Sequence, residues 1–382
     1  MLSCASIKSV GGGHQHALAH VIGLAALEVG MGLIKYIECD NERDKWWKGR
    51  QAYQTGREYA ANLSAFYDGN KGTMGNNIGV KTADSTMQVV MGGVALTTTD
   101  YLRGMIDWCK QYRGYKADGS VNLCWDIINY HYYASNAQNN PSSSANHGVA
   151  PELSLSDSIA GAFLKTAHQY ANDIPVWVTE CGYDTNPWSP YHVNAVGSKT
   201  VLATQADWIL RTSLAYARAG IQKVFFYELY DDNSSSGGSY ATSGLLNNDR
   251  SRRPSADYIK QVNSLFGNYS YVQTLSTSPI ADKYSLNDSA FMYTVYMPTA
   301  SNQTASYTLN LGSADSAIIY TPTIGSNNMT ATTMATTSGS ITITATETPV
   351  FIVGFNATPS FIGLKKKEKK PVLNEWCIVE KK

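Results

Sequence analysis

The 382-residue sequence predicts an α/β fold: a partial (β/α)8 TIM barrel with about five of the eight strand–helix units, followed by an antiparallel β-sandwich. Three observations lead to this prediction. Short apolar runs alternate with amphipathic stretches roughly every 40–50 residues, as expected for parallel strands connected by helices. Two of these runs stop abruptly at a glutamate. From about residue 270 the chain is rich in Ser, Thr and Asn and alternates apolar with polar residues, which is typical of antiparallel sheets.

The first part of the chain carries separate signals for strands and for helices. Thr55 and Glu58 have the spacing of a capping box, so a helix is predicted after Thr55. Gly220 is a favoured residue just past a helix end, and Pro254 suits a first helical turn. Further helices are predicted to begin at Thr99, at Ser156 or Asp157, and at Leu202. The predicted strands are Leu33–Cys39, Gln88–Met91, Trp125–Tyr130, Val176–Thr179 and Lys223–Tyr227.

The second part of the chain is nearly uncharged. Between residues 290 and 355 only Asp315 and Glu347 carry charge. A disordered low-complexity segment is the alternative, but the regular apolar alternation favours strands. The predicted strands are Ala290–Tyr296, Ser306–Leu311, Ala317–Tyr320, Ser340–Thr344 and Val350–Val353. The expected domains are a barrel over residues 1–268, a β-sandwich accessory domain over 269–357, and a disordered basic tail over 358–382 that is either solvated or a patch for a polyanion.

Composition and charge restrict the classes of partner. Lys plus Arg and Asp plus Glu each number 30, so the net charge is zero, which argues against a nucleic-acid or membrane-surface role based on overall charge. An uncharged partner such as a sugar polymer fits better. The 25 tyrosines and 8 tryptophans either provide stacking faces for sugar rings or fill the core. Six cysteines without a CxxC pair indicate neither a zinc site nor a disulfide framework, and we expect no metal and no cofactor.

Glu42 and Glu180 come at the ends of two predicted strands. Active sites of parallel barrels lie at the carboxyl ends of the strands. Cleavage of a glycosidic bond needs two carboxyl groups there, one to protonate the leaving oxygen and one to attack or stabilise the anomeric carbon. Two alternatives concern the first glutamate. Glu42 could be an exposed acid at a helix start, and Glu38, inside the same strand, competes with it for the acid role.

The order of three short motifs carries a family resemblance. Asn41-Glu42 follows the first strand, His131-Tyr132-Tyr133 the third, and Glu180 the fourth. This order resembles the clan A type of retaining glycoside hydrolases, whose (β/α)8 barrels end the fourth strand in Asn-Glu and the seventh in a second Glu. The resemblance implies that Glu42 is the general acid/base and Glu180 the nucleophile. It further suggests that Asn41 binds the hydroxyl next to the anomeric carbon and that Tyr133 donates a hydrogen bond to Glu180.

Several other side chains are candidates for substrate binding. Trp188 is predicted to face the substrate, since loops at this end of a barrel carry function. His131 either binds substrate, as the resemblance to the His-x-Tyr motif implies, or is a hydrogen-bonded core histidine. Trp46-Trp47 either stacks on a sugar ring or packs its loop against the next helix. Tyr227 and Glu228 lie on the last parallel strand, where many relatives carry a tryptophan. Glu228 would bind sugar hydroxyls, or it would form a structural ion pair.

The clan's first three strands have no counterpart in the sequence, so the resemblance predicts an N-terminally incomplete barrel and a chain that is a fragment. We expect such a sheet to self-associate through its open side. No signal peptide is recognised in Met1–Val10, and an extracellular or periplasmic location is implied by the resemblance alone. The predicted function is a retaining glycoside hydrolase acting on a poly- or oligosaccharide. The alternative is a non-catalytic carbohydrate-binding protein or an inactive fragment.

Overall fold

The computed structural model describes residues 34–137, 146–231 and 237–356. The N-terminal segment and the expected tail over 358–382 lie outside the described residues. None of the helices within the described ranges combines the length and the apolar character needed to cross a bilayer.

Five short parallel strands follow one another along the first part of the chain. They are β1 (Tyr36–Cys39), β2 (Gln88–Met91), β3 (Ile128–His131), β4 (Val176–Cys181) and β5 (Lys223–Phe226). β1 pairs with β2, and β3, β4 and β5 form one sheet in that order. Single bridges, Val90 to Ile127 and Val94 to Tyr130, join β2 to β3. The predicted class of parallel strands connected by helices is therefore confirmed.

The third strand is shifted relative to the prediction, which began it at Trp125. It begins at Ile128 and ends at His131. Just before this strand, the carboxylate of Asp126 accepts the backbone N–H of Val89 at 2.8 Å. This side-chain contact ties the entry of the strand to its neighbour before the regular ladder starts.

Helices connect the strands and pack on one face of the parallel sheet. They are α1 (Gly56–Asp68), α2 (Val80–Ala83), α3 (Asp100–Tyr112), α4 (Ser156–Tyr170), α5 (Val201–Ala219) and α6 (Pro254–Phe266), with short 3₁₀ turns at Trp46–Lys48 and Pro151–Leu153. The capping box is confirmed, since Thr55 and Glu58 each accept the other's backbone N–H. Gly220 ends α5 with φ of 97°, in the left-handed region that favours glycine. Thr99 precedes α3 but makes no capping hydrogen bond with its side chain.

The opposite face of the parallel sheet has an apolar layer at the amino ends of the strands. Val90, Ile127, Trp177 and Phe225 form a buried cluster with Tyr36 packed against it. Because side chains alternate between the faces of a strand, the residues two positions further along point to the same side. Those residues lie between the apolar cluster and the carboxyl ends of the strands, where the candidate site is.

Eight antiparallel strands follow α6. They are β6 (Ser270–Thr277), β7 (Ile280–Asn287), β8 (Ala290–Tyr296), β9 (Ala305–Asn310), β10 (Ser316–Thr321), β11 (Thr330–Ala335), β12 (Ser340–Ala345) and β13 (Val350–Phe355). Six of them pair in the order β11-β10-β13-β8-β7-β6, and β12 pairs with β9. The two sheets share an apolar cluster to which Leu309 and Ile341 contribute from one sheet and Val295 and Ile352 from the other. The five predicted strands are present, so the disordered alternative is wrong for this segment.

The six-stranded sheet packs on α5 and α6. Leu210 from α5 and Phe266 from α6 share a buried cluster with Tyr296 and Phe351 of the sheet, and the rings of Phe266 and Phe351 stack at 5.3 Å. An ion pair adds to this contact. Arg218, at the end of α5, lies 3.1 Å from the buried carboxylate of Asp282 on β7. The sheet thereby supports the helices that follow β4 and β5.

Candidate active site

The structure brings Glu42, His131 and Glu180 together at the carboxyl ends of β1, β3 and β4. One side-chain oxygen of each glutamate and one ring nitrogen of His131 all lie within 4.8 Å of one another. The side chain of Glu42 is 11% exposed and that of Glu180 is 12% exposed, whereas His131 is buried. Glu42 is therefore not an exposed acid at a helix start, and both carboxyl groups face one partly covered pocket.

Glu42 is held by the backbone of the neighbouring strand end. Its φ is 51°, a left-handed conformation that is uncommon for a residue other than glycine. Its N–H donates to the carbonyl of Gly93 at 3.0 Å. Two residues further on, the buried carboxylate of Asp44 accepts the N–H groups of Ala95 at 3.0 Å and Leu96 at 2.6 Å. These bonds fix the loop that carries Glu42 to the loop that follows β2.

Glu180 reaches the pocket through an irregularity in the sheet. Strict alternation would place Thr179 and Glu180 on opposite faces of β4. The pairing register shifts between Tyr130 and His131 on β3, and again between Val178 and Cys181 on β4. As a result both Thr179 and Glu180 contact His131. Such irregularities re-aim side chains next to active sites.

His131 lies between the two glutamates. Its Nδ1 is 2.9 Å from Oε1 of Glu42 and 3.6 Å from Oε2 of Glu180. Its Nε2 is 3.0 Å from Oγ1 of Thr179. A Cβ added at Gly93 would lie 2.0 Å from Nε2, so only glycine at that position leaves room for the imidazole.

Tyr133 meets Glu180 as the sequence predicted. Its hydroxyl donates to Oε2 of Glu180 at 3.0 Å. Burial, and next the negative charge of Glu180, raise the pKa of Tyr133 well above its usual value. The phenol therefore keeps its proton and remains a donor to the carboxylate. Hydrogen bonds of this kind stabilise the ionised form that a nucleophile needs.

Lys45 is close to the other glutamate. Its ammonium group forms an ion pair with Oε2 of Glu42 across three residues of chain. A positive neighbour favours the ionised carboxyl group, whereas burial and the second carboxylate favour the protonated one. The environment of Glu42 thus contains opposing influences.

Tyrosines line the side of the pocket next to Glu180. Tyr191 and Tyr240 stack with their ring centroids 5.2 Å apart, and Tyr133 lies 5.2 Å and 4.9 Å from these two rings. Tyr227, predicted as a substrate-binding residue, places its ring 6.0 Å from Tyr240. The structure therefore joins Tyr227 to the same aromatic group.

The remaining predicted residues differ in their exposure. The side chain of Trp188 is 83% exposed, and Trp46 and Trp47 are also exposed, so all three rings are accessible to a ligand. Asn41 is half-buried next to Glu42, and its backbone N–H donates to Oδ1 of Asp40.

Glu228 and Glu38 are both buried. Burial lowers the pKa of Arg253, and nearby carboxylates that include Glu228 oppose this shift. The structure shows an ion pair of Arg253 with Asp231, so both interpretations of Glu228 stay predictions. Glu38 lies inside β1 and accepts hydrogen bonds from Asn129 and from the backbone of Gly93. It does not take the place of Glu42 at the strand end.

Sequence reasoning missed Thr179, Lys45, Tyr191 and Tyr240 as members of the site. For Thr179 a signal existed, because it is a polar residue inside a buried apolar strand. The two tyrosines come from long loops, and nothing in the local sequence indicates where those loops return.

Glu42, His131 and Glu180 also have the donor atoms that could hold a divalent cation. In the structure Nδ1 of His131 contacts both glutamates, and Lys45 forms an ion pair with one oxygen of Glu42. The contacts account for the arrangement without a cation. The expectation that the site uses no metal stays a prediction.

No protein-family model and no curated protein matches the sequence. Solved structures do match. A family 39 glycoside hydrolase from Bacteroides cellulosilyticus WH2 superposes with a TM-score of 0.61 at 18% identity; the match covers 90% of this chain and 62% of that one. The GH51 arabinofuranosidase from Xanthomonas axonopodis pv. citri gives 0.57 at 10% identity, over 92% and 75% of the two chains. The bifunctional glucanase-xylanase CelM2 from a metagenome library gives 0.56 at 14% identity, over 88% and 68%.

These comparisons establish the fold. The chain has the fold of clan A glycoside hydrolases, as the resemblance implied. It spans less than two thirds of the length of the family 39 structure. Identities of 10–18% say nothing by themselves about the reaction of this chain, because one fold hosts many functions.

Proposed function

We propose that the chain is a retaining glycoside hydrolase that cleaves O-glycosidic bonds of a poly- or oligosaccharide with Glu42 and Glu180. The observation that carries the proposal is that one side-chain oxygen of Glu42 lies within 4.8 Å of one side-chain oxygen of Glu180. Retaining enzymes place the two carboxyl groups about 5–5.5 Å apart, whereas inverting enzymes leave about 6.5–9.5 Å for a water molecule. The spacing favours retention.

In this mechanism Glu180 attacks the anomeric carbon and forms a covalent glycosyl-enzyme ester. Glu42 gives its proton to the leaving oxygen in the same step. Glu42 then takes a proton from a water molecule, which attacks the anomeric carbon and releases Glu180 as a carboxylate. The hydrogen bond from Tyr133 keeps Glu180 ionised until it attacks, and Asn41 would bind the adjacent sugar hydroxyl.

The surroundings of the two glutamates support an uncharged sugar as substrate. The tyrosine group next to Glu180 and the exposed ring of Trp188 offer faces on which sugar rings can stack. The zero net charge supports no strong preference for a polyanion. By analogy with the fold, we interpret the five parallel strands as part of a (β/α)8 barrel; self-association and an extracellular or periplasmic location stay predictions.

The test is hydrolysis of aryl glycosides and oligosaccharides by the wild type, Glu42→Gln and Glu180→Gln. Glu58→Gln is the matched control, since Glu58 is exposed and lies at the start of α1. We expect both site variants to lose hydrolysis and keep binding, with the control unchanged. Proton NMR of the first product formed should show the anomeric configuration of the substrate. Equal turnover by wild type and both site variants would reject the proposal.

A non-catalytic carbohydrate-binding protein is the second candidate. The ion pair between Lys45 and Glu42 favours it, because this contact stabilises the form of Glu42 that cannot donate a proton. This candidate predicts sugar binding by the wild type without turnover of any glycoside, and equal binding by both glutamine variants.

A further inference from the structure

A polar layer lies between the apolar cluster of the parallel sheet and the two glutamates. Glu38 on β1, Asn129 on β3 and Thr179 on β4 are 4%, 0% and 3% exposed. The interior of a parallel barrel is normally filled by branched apolar side chains. Buried polar groups in native structures are hydrogen-bonded, and here the partners are chiefly one another. The layer ends at His131, which links it to the site.

The orientation of Asn129 is fixed by the backbone. Its Oδ1 accepts the N–H of Thr179 at 3.1 Å, so its Nδ2 is the atom that faces the other two residues. Nδ2 is 2.6 Å from Oγ1 of Thr179 and 3.0 Å from Oε1 of Glu38. Oε1 of Glu38 also accepts the N–H of Gly93 at 3.1 Å. Both partners are N–H donors, so Oε1 acts as a hydrogen-bond acceptor.

The single proton of the Thr179 hydroxyl has two possible acceptors. They are Oε1 of Glu38 at 3.3 Å and Nε2 of His131 at 3.0 Å. If the proton went to Nε2, a lone pair of the hydroxyl would face this buried acceptor oxygen with no hydrogen between the two atoms. Donation to Glu38 removes this repulsion. Oγ1 of Thr179 then accepts from His131, so Nε2 of the imidazole must carry a hydrogen.

We propose that Glu38 and Thr179 are positioning residues that hold His131 as the Nε2–H tautomer and thereby keep a proton between its Nδ1 and Glu42. This rests on the proposed function for the role of Glu42 as the acid. Nδ1 of such a neutral ring is an acceptor, and the 2.9 Å contact with Oε1 of Glu42 then requires the proton of the Glu42 carboxyl group. In the cationic ring the same proton sits on Nδ1.

The contact with His131 keeps a proton available at Glu42, whereas the ion pair with Lys45 favours loss of that proton. In the first step the proton shared by Glu42 and His131 moves to the leaving oxygen of the sugar. In the second step Glu42 removes a proton from the attacking water, and the shared proton is restored. Each cycle therefore returns the pair to its starting state, while the hydroxyl proton of Thr179 stays in place throughout.

The test is nitrogen-15 NMR of the full chain labelled at histidine, with His131 identified by the signals lost in His131→Gln. We expect a protonated Nε2 in the wild type near neutral pH. Thr179→Val removes the hydroxyl at nearly constant shape and should release the ring to a mixture of both tautomers. Thr179→Ser keeps the hydroxyl and should restore the wild-type signals. Near-ultraviolet circular dichroism, which depends on the buried aromatic side chains such as Trp125 and Tyr130, reports whether each variant is folded.

A wild-type ring protonated at Nδ1 alone would overturn the inference whether or not any variant folds. The same holds if Thr179→Val left the tautomer unchanged in a folded protein. These readouts need no enzymatic activity. If Glu42→Gln hydrolysed glycosides like the wild type, the proposed function would fail while the tautomer result stood on its own.

Kinetics provide the second readout for an active chain. Thr179→Val should lower kcat about ten-fold or more with little change in KM, and move the basic limb of the kcat/KM profile to lower pH, because Lys45 then acts on Glu42 without opposition from His131. Thr179→Ser should stay within a few-fold of the wild type. A uniform loss of kcat at every pH, with the limb in place, would show a merely structural role and contradict the inference.

Discussion

The inner face of the parallel sheet and the space between the two antiparallel sheets are both buried, but they are filled differently. Above an apolar layer, the parallel sheet carries Glu38, Asn129 and Thr179, and it ends at a histidine between two glutamates. The antiparallel sheets enclose aliphatic side chains such as Val295 and Ile352.

The difference shows what each region contributes to the protein. Burial of aliphatic surface stabilises the fold by about 25 cal/mol per Å². A network of buried polar groups contributes little net stability, since it replaces hydrogen bonds to water, but it permits few geometries. The antiparallel part therefore provides stability and support for α5 and α6, whereas the polar face positions chemical groups.

Glu180→Gln gives the largest expected effect, and it should change activity while leaving stability nearly unchanged. We expect hydrolysis to fall about 10⁴-fold or more, as when a nucleophile is removed from other enzymes. The free energy of unfolding should stay within about 1 kcal/mol of the wild type, because glutamine has nearly the same shape and keeps an oxygen that can accept from Tyr133. Urea unfolding and initial rates measure both. A large loss of stability would show that the polar face also holds the fold together.

Ile352→Ala should lower stability and leave activity unchanged, the opposite of Glu180→Gln. Ile352 is fully buried between the antiparallel sheets, and truncation of such a residue costs about 2–5 kcal/mol of unfolding free energy. Activity per folded molecule should not change. A drop in kcat at a temperature where the variant is fully folded would mean that the sandwich contributes to the site directly.

Tyr133→Phe removes one hydrogen bond to Glu180 and keeps the ring. A hydrogen bond to a charged group contributes about 1.5–3 kcal/mol, so kcat/KM should fall about 10- to 100-fold. Tyr101→Phe is a suitable control, since its hydroxyl donates to a backbone carbonyl near α1. An unchanged kcat/KM would remove Tyr133 from the mechanism.

Lys45→Met should give the smallest effect, a change in pH dependence. Without the ammonium group, Glu42 would hold its proton to higher pH, because an opposite charge that favours ionisation is gone. The basic limb of the kcat/KM profile should therefore move up by about one pH unit or less. A shift of the basic limb toward lower pH would contradict the interpretation that Lys45 favours the ionised form of Glu42.

Much of the local structure could be predicted because its causes are local. The capping box at Thr55 depends on residues three positions apart, and β8 was predicted with its observed limits at Ala290 and Tyr296. The strands β6, β7 and β11 were missed. β11 is largely exposed and rich in threonine, so it lacks the apolar alternation that marks a half-buried strand.

For the site, the sequence by itself determined which residue types stand at the strand ends: Glu42, His131 and Glu180 follow from short apolar runs that stop at polar residues. Only the tertiary structure decided how they meet. The register shifts that turn Glu180 toward His131 depend on pairing between β3, β4 and β5, and the contact of Thr179 with Glu38 joins positions 141 residues apart. Local propensity and periodicity cannot encode such contacts, because their energies arise only when distant segments pack together.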